Sequence, residues 1–331
     1  MRRAVLLYNP RSGGAHARRE SIIDRTIAAL RALGIQAEKE ATRGPREAGE
    51  QAQRLAGEGF DSIIACGGDG TVHDVLQGVV GTPASLGVIP LGTANSLAQD
   101  LGLSNDPTKA AAQLVEATSH RVAVGQIEFQ RGPERKSHYF TVAAGIGMDA
   151  ALFYRINAQF KQRWGMAAYV VQSVRMWALA RFHPFVAEWF DTDAKQQRSE
   201  IVTQLLVVRI ANFGGVLNRL APGADLLRDD FRLVLFKTAN KARYLRFSMG
   251  RLMNRDWRDP NIELVHASQI NCIPYESGRG AAPVIYAEAD GEWLGRLPVS
   301  VKAVPNALNL LVPKAATCMR NHAALMELSH Q

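Results

Sequence analysis

The chain has 331 residues, with 39 Lys and Arg against 31 Asp and Glu, which gives a formal charge of +8 at pH 7. At ~150 residues per domain, this length predicts two domains or one large one. Hydrophobic residues make up 47% of the chain, which excludes an intrinsically disordered protein. Three scattered cysteines, Cys66, Cys272 and Cys318, exclude a disulfide scaffold and suit a reducing cytosol.

Neither a membrane span nor a signal peptide is expected. No apolar run reaches the ~18 residues that a membrane-spanning helix needs. The apolar stretch at residues 3–8 ends at Asn9 and Pro10, so it is interpreted as a first strand. The surplus of basic residues allows an acidic partner, although an ordinary solvated surface explains it as well.

The first 120 residues alternate short apolar runs with helical patterns. Strands are expected at residues 3–8, 35–41, 62–66 and 84–90. Helices are expected at residues 15–33, 45–56, 71–80, 94–101 and 107–117. This order predicts a three-layer α/β domain over residues 1–120, with a parallel sheet and helices on both faces.

From residue 121 onward the pattern is mostly that of strands separated by turns. They are expected at residues 121–129, 137–144, 184–191, 201–211, 231–237, 262–270, 283–288 and 298–304. The chain is therefore expected to combine α/β and all-β domains, the second being a β-sandwich over residues 121–313. One helix is expected inside it at residues 165–181, and the tail at residues 314–331 is expected to be helical.

The sharpest motif directly follows a buried strand and opens a helix; it reads Gly67-Gly68-Asp69-Gly70-Thr71. Its glycines allow a tight turn and a close approach of the backbone to a ligand. The helix start offers N–H groups to a phosphate. Because the carboxylate of Asp69 would repel a phosphate unless a cation lay between them, the motif indicates a metal–nucleotide complex. A plain strand-to-helix turn is the alternative.

Two further loops, rich in glycine and hydroxyl groups, also lie between a strand and a helix. They read Asn9-Pro10-Arg11-Ser12-Gly13-Gly14 and Pro90-Leu91-Gly92-Thr93-Ala94-Asn95-Ser96. In chain order, the first loop is therefore residues 9–14, the second is residues 67–71 and the third is residues 90–96. The loops that follow parallel strands share one edge of the sheet, where ligands bind. Three such loops predict a phosphate site more specifically than any one of them.

Together with Asp290-Gly291-Glu292, these motifs resemble the diacylglycerol kinase catalytic-domain family, in particular its soluble bacterial lipid kinases. The resemblance covers residues 1–313. It implies that the α/β domain is the nucleotide-binding domain and that the active site lies in the cleft between the two domains. It also implies ATP as phosphoryl donor, Mg²⁺, and phosphorylation of a lipid hydroxyl.

The resemblance also implies roles for individual residues. The expected nucleotide-binding residues are Asn9, Ser12, Thr42, Gly67, Gly68, Asp69, Gly70, Thr71, Gly92, Thr93 and Asn95. Glu292 would be the general base that accepts the proton of the lipid hydroxyl. Asp290 would be an orienting or metal-facing group, since an extended chain would point the carboxylates of Asp290 and Glu292 to one side. Without the resemblance, Asp-Gly-Glu would be interpreted as an exposed hairpin turn.

The sequence departs from the family pattern in two loops. Ser96 follows Asn95 where a carboxylate is common, so Mg²⁺ bound with ATP would depend more on Asp69. After the second loop, His73 and Asp74 stand where Asn-Glu is common in the family, and His73 is expected on the helix surface.

Residues 221–230 resemble the segment in which bacterial members hold a structural Mg²⁺. Asp225 and Asp229 could share such an ion with backbone carbonyls. A solvated acidic turn is the alternative.

The sequence therefore predicts an ATP-dependent lipid kinase with diacylglycerol-like substrates, cytoplasmic and peripherally bound to an anionic membrane. The basic and aromatic stretch at residues 155–181, including Lys161 and Arg163, would dock on the bilayer, unless it packs into the core. A NAD-kinase-like enzyme acting on a soluble dinucleotide and a catalytically weak lipid-binding or regulatory protein are the alternatives. No nucleic-acid partner is expected, and a homodimer is compatible with the sequence.

Overall fold

The chain folds into two compact units. The structure, a computed structural model, describes residues 1–10, 16–44, 46–147, 181–213, 220–253, 255, 257–276, 283–314 and 316. One unit comprises Met1–Val124, Asn212–Gly214 and Pro305–Gln331, and the other comprises Gly125–Ala211 and Gly215–Val304. Ser12, the expected docking residues Lys161 and Arg163, and nearly all of the expected helix at 165–181 and of the tail lie outside the described residues.

The first unit contains the expected alternation of strands and helices. Its elements are β1 (Arg3–Tyr8), α1 (His16–Ala32), β2 (Gln36–Ala41), α2 (Ala48–Gly57), β3 (Ser62–Gly67), α3 (Asp69–Val79), β4 (Ser85–Pro90), α4 (Ser96–Asp100) and α5 (Pro107–Val115). The strand order is β2-β1-β3-β4, and all neighbours are parallel. The last of the described strands extends this sheet, since Asn309 pairs with Ser85 in parallel.

Burial on both faces explains the apolar runs of this sheet. Every residue of β3 and β4 is buried, as expected for parallel strands covered by helices on both sides. Helix α1 packs beside α5, and α2 packs beside α3. The carboxyl ends of β1, β3 and β4 therefore lie at one edge of the sheet, and each leads into one of the three loops with phosphate-binding character.

The second unit is built from antiparallel strands. Its elements are β5 (Thr118–Arg131), β6 (Glu134–Phe140), β7 (Ala143–Gly147), β8 (Phe185–Asp191), β9 (Gln196–Val202), β10 (Gln204–Val208), β11 (Phe231–Phe236), α6 (Lys241–Leu252), β12 (Ile262–Pro274), β13 (Tyr286–Ala289) and β14 (Glu292–Val312). The strand order is β13-β7-β10-β11-β12-β8-β9; β12 also pairs with β14, and β5 pairs with β6. Strand β5 starts in the first unit and β14 ends there.

Apolar side chains fill the interior of this second unit. Phe140, Trp189 and Phe231 are among its largest fully buried residues. The burial pattern alternates along β8, as expected for a strand with one covered face. The β-rich expectation for this half of the chain is therefore confirmed.

Three expectations about secondary structure were wrong or incomplete in this unit. The strand expected at 137–144 is divided into the end of β6 and the start of β7. Strand β9 was missed because its sequence is mostly polar and exposed. Helix α6 was also missed, although Asn240 caps it by accepting the N–H of Ala242 at 2.9 Å.

The expectation that His73 lies on the helix surface was wrong. His73 is only 2% exposed. Helix α2 covers α3 closely, and a side chain in place of the hydrogen of Gly78 would collide with the carbonyl of Gly49. This close crossing of two helices could not be inferred from the sequence of α3 alone.

Candidate active site

The second and third loops contact each other through glycine backbones. A Cβ atom added to Gly92 would lie 2.5 Å from the Cα of Gly68, and one added to Gly68 would lie 3.2 Å from the Cα of Gly92. The N–H of Leu91 also donates to the carbonyl of Gly67 at 2.9 Å. Glycine is thus required where the two loops meet, and this leaves bare backbone beside the start of α3, the arrangement that phosphate groups bind.

Asp69 ties the second loop to the third. It is the first residue of α3. Its Oδ2 accepts the N–H of Asn95 at 3.0 Å, and its Oδ1 accepts the N–H of Ser96 at 2.7 Å. The carboxylate therefore has two backbone partners, whereas the sequence argument had considered only a cation. Each oxygen can accept more than one bond, so a role beside Mg²⁺ stays a prediction.

Asn95 shapes the third loop from within. Its backbone is left-handed, with φ of 52°, a conformation that Asn tolerates better than most residues. The side chain forms two hydrogen bonds with the backbone of Gly92. Oδ1 accepts the N–H of Gly92 at 2.9 Å, and Nδ2 donates to its carbonyl at 3.0 Å. Thr93 lies exposed between them. The nucleotide contacts of Thr93 and Asn95 stay predictions.

The ends of the first two strands lie side by side at the same edge of the sheet. The N–H of Thr42, which follows β2, donates to the carbonyl of Tyr8 at the end of β1 at 2.9 Å. Asn9 follows Tyr8 directly. The structure therefore brings Asn9 and Thr42 together, whereas Ser12 lies outside the described residues.

Arg19 is a candidate that the sequence analysis missed. Its Nη2 donates to the carbonyl of Leu91 in the third loop at 3.3 Å. Its Nη1 is buried and has no hydrogen-bond partner among the residues that the structure describes. Burial lowers the pKa of Arg19, and the electrostatic effect of Cys66 opposes this. The sequence contained one signal for Arg19, its position in the first turn of a helix. A cation is unfavourable there, because the positive end of the helix dipole repels it.

In the second unit, Asp290 and Gly291 form the tight turn between β13 and β14. Both have positive φ, 50° and 82°, and Ala289 pairs with Glu292, as in a type I′ hairpin. The chain is not extended here, so the expectation that an extended chain would point the Asp290 and Glu292 carboxylates to one side was wrong.

The carboxylate of Asp290 binds three consecutive backbone amides between β6 and β7. They are the N–H groups of Thr141, Val142 and Ala143, at 3.0, 2.9 and 3.1 Å. Three backbone donors fix the position of this carboxylate. Asp290 thus anchors the turn to the strand break that divides the expected strand at 137–144.

Glu292 has no such attachment. It is half-buried, and its carboxylate makes no hydrogen bond or ion pair with the described residues. The nearby Glu288 is buried, and its Oε2 accepts the N–H of Gly291 at 2.9 Å. Of the three carboxylates at this turn, Glu292 is therefore the one that no described residue holds in place.

Comparison with known proteins agrees with the motifs. A family model of the diacylglycerol kinase catalytic domain matches residues 3–127. A model of the YegS C-terminal NAD kinase beta sandwich-like domain matches residues 141–312. The chain belongs to the diacylglycerol kinase catalytic-domain family. It is a phosphotransferase of the lipid kinase type, acting on an alcohol group.

Relatives in this family match over nearly the whole chain. A diacylglycerol kinase of Bacillus subtilis (strain 168) is 29% identical over 317 residues, which is 95% of this chain and 97% of the relative. One of Staphylococcus carnosus (strain TM300) is 25% identical, covering 95% and 96%. A crystal structure of a diacylglycerol kinase from Bacillus anthracis str. Sterne shares the fold, with a TM-score of 0.70 and 19% identity over 95% of this chain and 98% of that one.

An arginine side chain contacts residues 221–230, the segment in which the resemblance implied a structural Mg²⁺. Arg209 is fully buried. Its Nη1 donates to the carbonyls of Arg228 and Asp230 at 2.8 and 2.7 Å, and its Nη2 donates to the carbonyl of Leu226 at 2.8 Å. A guanidinium thus binds backbone oxygens of the kind that a hard cation would coordinate.

The two aspartates expected at that ion have different surroundings. Oδ1 of Asp225 accepts the N–H of Leu227 at 2.9 Å, and Asp229 is exposed. Within the described ranges, no group of three or more His, Cys, Asp or Glu side chains could hold a metal ion. Magnesium at Asp225 and Asp229 stays a prediction, and the contacts of Arg209 argue against it.

No helix within the described ranges is both long enough and apolar enough to cross a membrane.

Proposed function

We propose that this lipid kinase transfers the γ-phosphate of ATP to a hydroxyl of diacylglycerol or a closely similar lipid. The observation that carries the nucleotide half of the proposal is the pair of hydrogen bonds from Asn95 and Ser96 to Asp69, which holds two glycine loops in contact. Bare backbone, a helix start and a fixed carboxylate are what phosphoryl transfer needs, because its catalysis is mostly positioning and charge neutralisation.

Arg19 belongs to this proposed phosphate site. Its guanidinium is fixed at one nitrogen by the Leu91 carbonyl and has a second, buried nitrogen without a partner among the described residues. A buried donor without an acceptor is costly, by ~1–3 kcal/mol. A phosphate oxygen of ATP would supply that acceptor, and the bond would be charge-assisted.

Magnesium would arrive with ATP. The carboxylate of Asp69 fits the ion, because carboxylate oxygens are preferred Mg²⁺ ligands and such sites often use one or two of them. When bound, the ion would neutralise charge on the phosphates. Asp69 would in addition keep Asn95 and Ser96 in place, a role that does not depend on the ion.

Glu292 is the proposed general base. A carboxylate near the attacking hydroxyl accepts its proton as the new bond to phosphorus forms. Support comes from the contrast with Asp290 and Glu288, whose carboxylates accept backbone N–H groups. Asp290 would hold the turn that carries Glu292, rather than exchange protons itself. The enzyme would act from the cytoplasm on a lipid that remains in the membrane.

A NAD-kinase-like activity is the second candidate, because the matched C-terminal domain is described as NAD kinase beta sandwich-like. One assay separates the candidates: the full chain is incubated with radiolabelled ATP, Mg²⁺ and a panel of diacylglycerol, monoacylglycerol, ceramide, sphingosine, phosphatidylglycerol and NAD. We expect label in the diacylglycerol-type product. Label in NAD alone would replace the proposal, and no labelled product would favour the lipid-binding alternative.

A further inference from the structure

Gln51 is a buried polar residue on a side of helix α2 that is otherwise formed by small and aliphatic residues. It is only 3% exposed. The other buried residues of the helix are Ala48, Gly49, Ala52, Leu55 and Ala56. An aliphatic side chain would pack here without burying an amide, which costs free energy unless the amide is hydrogen-bonded. The contacts of the Gln51 amide explain why this position is polar.

The amide of Gln51 binds the backbone on both sides of Thr42. Its Oε1 accepts the N–H of Arg43 at 3.0 Å, and its Nε2 donates to the carbonyl of Ala41 at 3.1 Å. The N–H of Thr42 itself donates to the carbonyl of Tyr8 on the neighbouring strand. One side chain thus fixes the two peptide groups that enclose Thr42, at the point where β2 ends.

Two charged residues fix the orientation of Gln51 itself. Its Nε2 also donates to the carboxylate of Glu40. Nη2 of Arg54 donates to both oxygens of that carboxylate, at 2.7 and 2.5 Å. Because the amide nitrogen has two N–H donors and both have acceptors, the amide cannot turn over without losing these bonds. Gln51 is therefore held from β2 and from the next turn of α2.

The hydroxyl of Thr42 is not used in holding this strand end. Thr42 is half-buried, and its Oγ1 makes no hydrogen bond with the described residues. Strand β2 is parallel to β1, so Thr42 lies at the sheet edge where Asn9 and the glycine loops begin. A hydroxyl on a fixed backbone is positioned before a ligand binds, which lowers the entropic cost of binding.

We propose that Gln51 is a positioning residue of the ATP site, which sets the place of the Thr42 hydroxyl toward the nucleotide. This inference rests on the proposed function, in which Thr42 binds ATP. Gln51 acts through the two peptide groups beside Thr42 and does not itself touch the nucleotide. Without its amide, the N–H of Arg43 and the carbonyl of Ala41 lose these partners, and the end of β2 is no longer fixed.

The test measures binding of ATP with Mg²⁺ to the full chain by isothermal titration calorimetry, without lipid. The test variant is Gln51→Met, which removes both hydrogen-bonding groups and keeps a similar volume. The matched control is Gln53→Met, at an exposed glutamine of the same helix. Thr42→Val and the double variant complete a double-mutant cycle. Circular dichroism verifies folding, and hydrogen exchange of the peptide that contains Arg43 gives a readout that does not depend on ATP.

We expect Gln51→Met to weaken ATP binding about tenfold and to speed exchange of the Arg43 amide, and Gln53→Met to change neither. Because Gln51 acts through Thr42, the double variant should bind ATP no more weakly than Thr42→Val alone. A merely structural effect of Gln51→Met would instead multiply with the loss caused by Thr42→Val. Gln51→Glu, which loses the donor to Ala41, is a second variant should Gln51→Met not fold, and should also weaken ATP binding.

Two results would overturn this role of Gln51 while leaving the proposed function intact. One is equal ATP affinity of the wild type and a folded Gln51 variant, and the other is multiplication of the two losses in the double variant. A wild type that does not bind ATP would overturn the proposed function itself, and the role of Gln51 with it.

Discussion

The carboxylate of Asp69 and the backbone N–H of Ser96 lie 2.7 Å apart, although the two residues belong to different loops. With the second bond, from Asn95, this contact fixes the third loop against the start of α3. Phosphoryl transfer depends on the placement of phosphate groups. The geometry of the proposed ATP site therefore depends on a carboxylate that binds the protein itself.

Replacing Asp69 with Asn should lower kcat/KM for ATP by ~5–150-fold. At least one of the N–H groups of Asn95 and Ser96 would lose its acceptor, which costs ~1–3 kcal/mol. Steady-state kinetics with titrated ATP would measure this. Asp106→Asn is the matched control, since Asp106 also accepts two backbone N–H groups, those of Thr108 and Lys109, at the start of α5. A folded Asp69→Asn protein with near-normal turnover would remove Asp69 from the mechanism.

Replacing Arg19 with Gln should raise the dissociation constant of ATP at least tenfold, since a charge-assisted bond to phosphate contributes ~1.5–3 kcal/mol. Calorimetric titration of ATP into the variant would measure it. Arg25→Gln is the control: Arg25 lies on the same helix, is exposed, and binds only the carbonyl of Ser21 among the contacts described. Unchanged ATP affinity in a folded Arg19→Gln protein would contradict the role proposed for Arg19.

The contacts of Arg19 and Asp290 show where sequence reasoning reaches its limit. The parallel strands and their loops were predictable, because fully buried apolar runs and glycine-rich turns are local signals. The partners of Asp290 lie 147 to 149 residues earlier in the chain, and no local pattern reports such a contact. The nearest sequence signal for Arg19 was its unfavourable place at a helix start. Local motifs identified the candidate residues other than Arg19, whereas the structural contacts distinguished Asp69 and Asp290, which hold loops in place, from Glu292, which has no such contact among the described residues.

Glu292→Gln should lower kcat by ~10²–10⁴-fold, the usual contribution of a general base. The affinity for ATP should change little, because the proposed role of Glu292 is in proton transfer. Turnover at saturating ATP, compared with that of Glu134→Gln on the exposed start of β6, would measure the effect. If ATP binding collapsed while turnover at saturation stayed high, Glu292 would be a binding residue instead.

Arg209→Met should destabilise the protein by ~3 kcal/mol or more, because the three carbonyls that accept from Arg209 lose their donors at ~1–3 kcal/mol each. Added Mg²⁺ should not stabilise the wild type in the absence of ATP, since the guanidinium already acts as the cation of this segment. Thermal unfolding with MgCl₂ or EDTA tests both statements. A magnesium-dependent rise in Tm that Asp225→Asn and Asp229→Asn abolish would instead support the structural ion.

The ion pair of Asp230 should make stability depend on pH in the acid range. Burial raises the pKa of Asp230, but the hydrogen bonds and charge of Arg228, together with the nearby imidazole of His266, outweigh it and hold this pKa well below its usual range. Both guanidinium bonds are 2.7 Å long. A carboxyl whose folded pKa is lowered adds stability that is complete above its unfolded pKa, ~3.9, and is lost as the pH falls through the folded value.

The free energy of unfolding of the wild type should therefore fall more steeply than that of Asp230→Asn as the pH decreases from about 5. Urea unfolding at pH 6, 5, 4 and 3 would measure this difference. Arg228→Gln should, like Asp230→Asn, make the free energy of unfolding depend less on pH than in the wild type, since it removes the main partner that lowers the pKa of Asp230. The double variant should add little to either single change, because the two residues share one interaction. Parallel pH curves for the wild type and Asp230→Asn would show that this pair does not contribute to acid sensitivity.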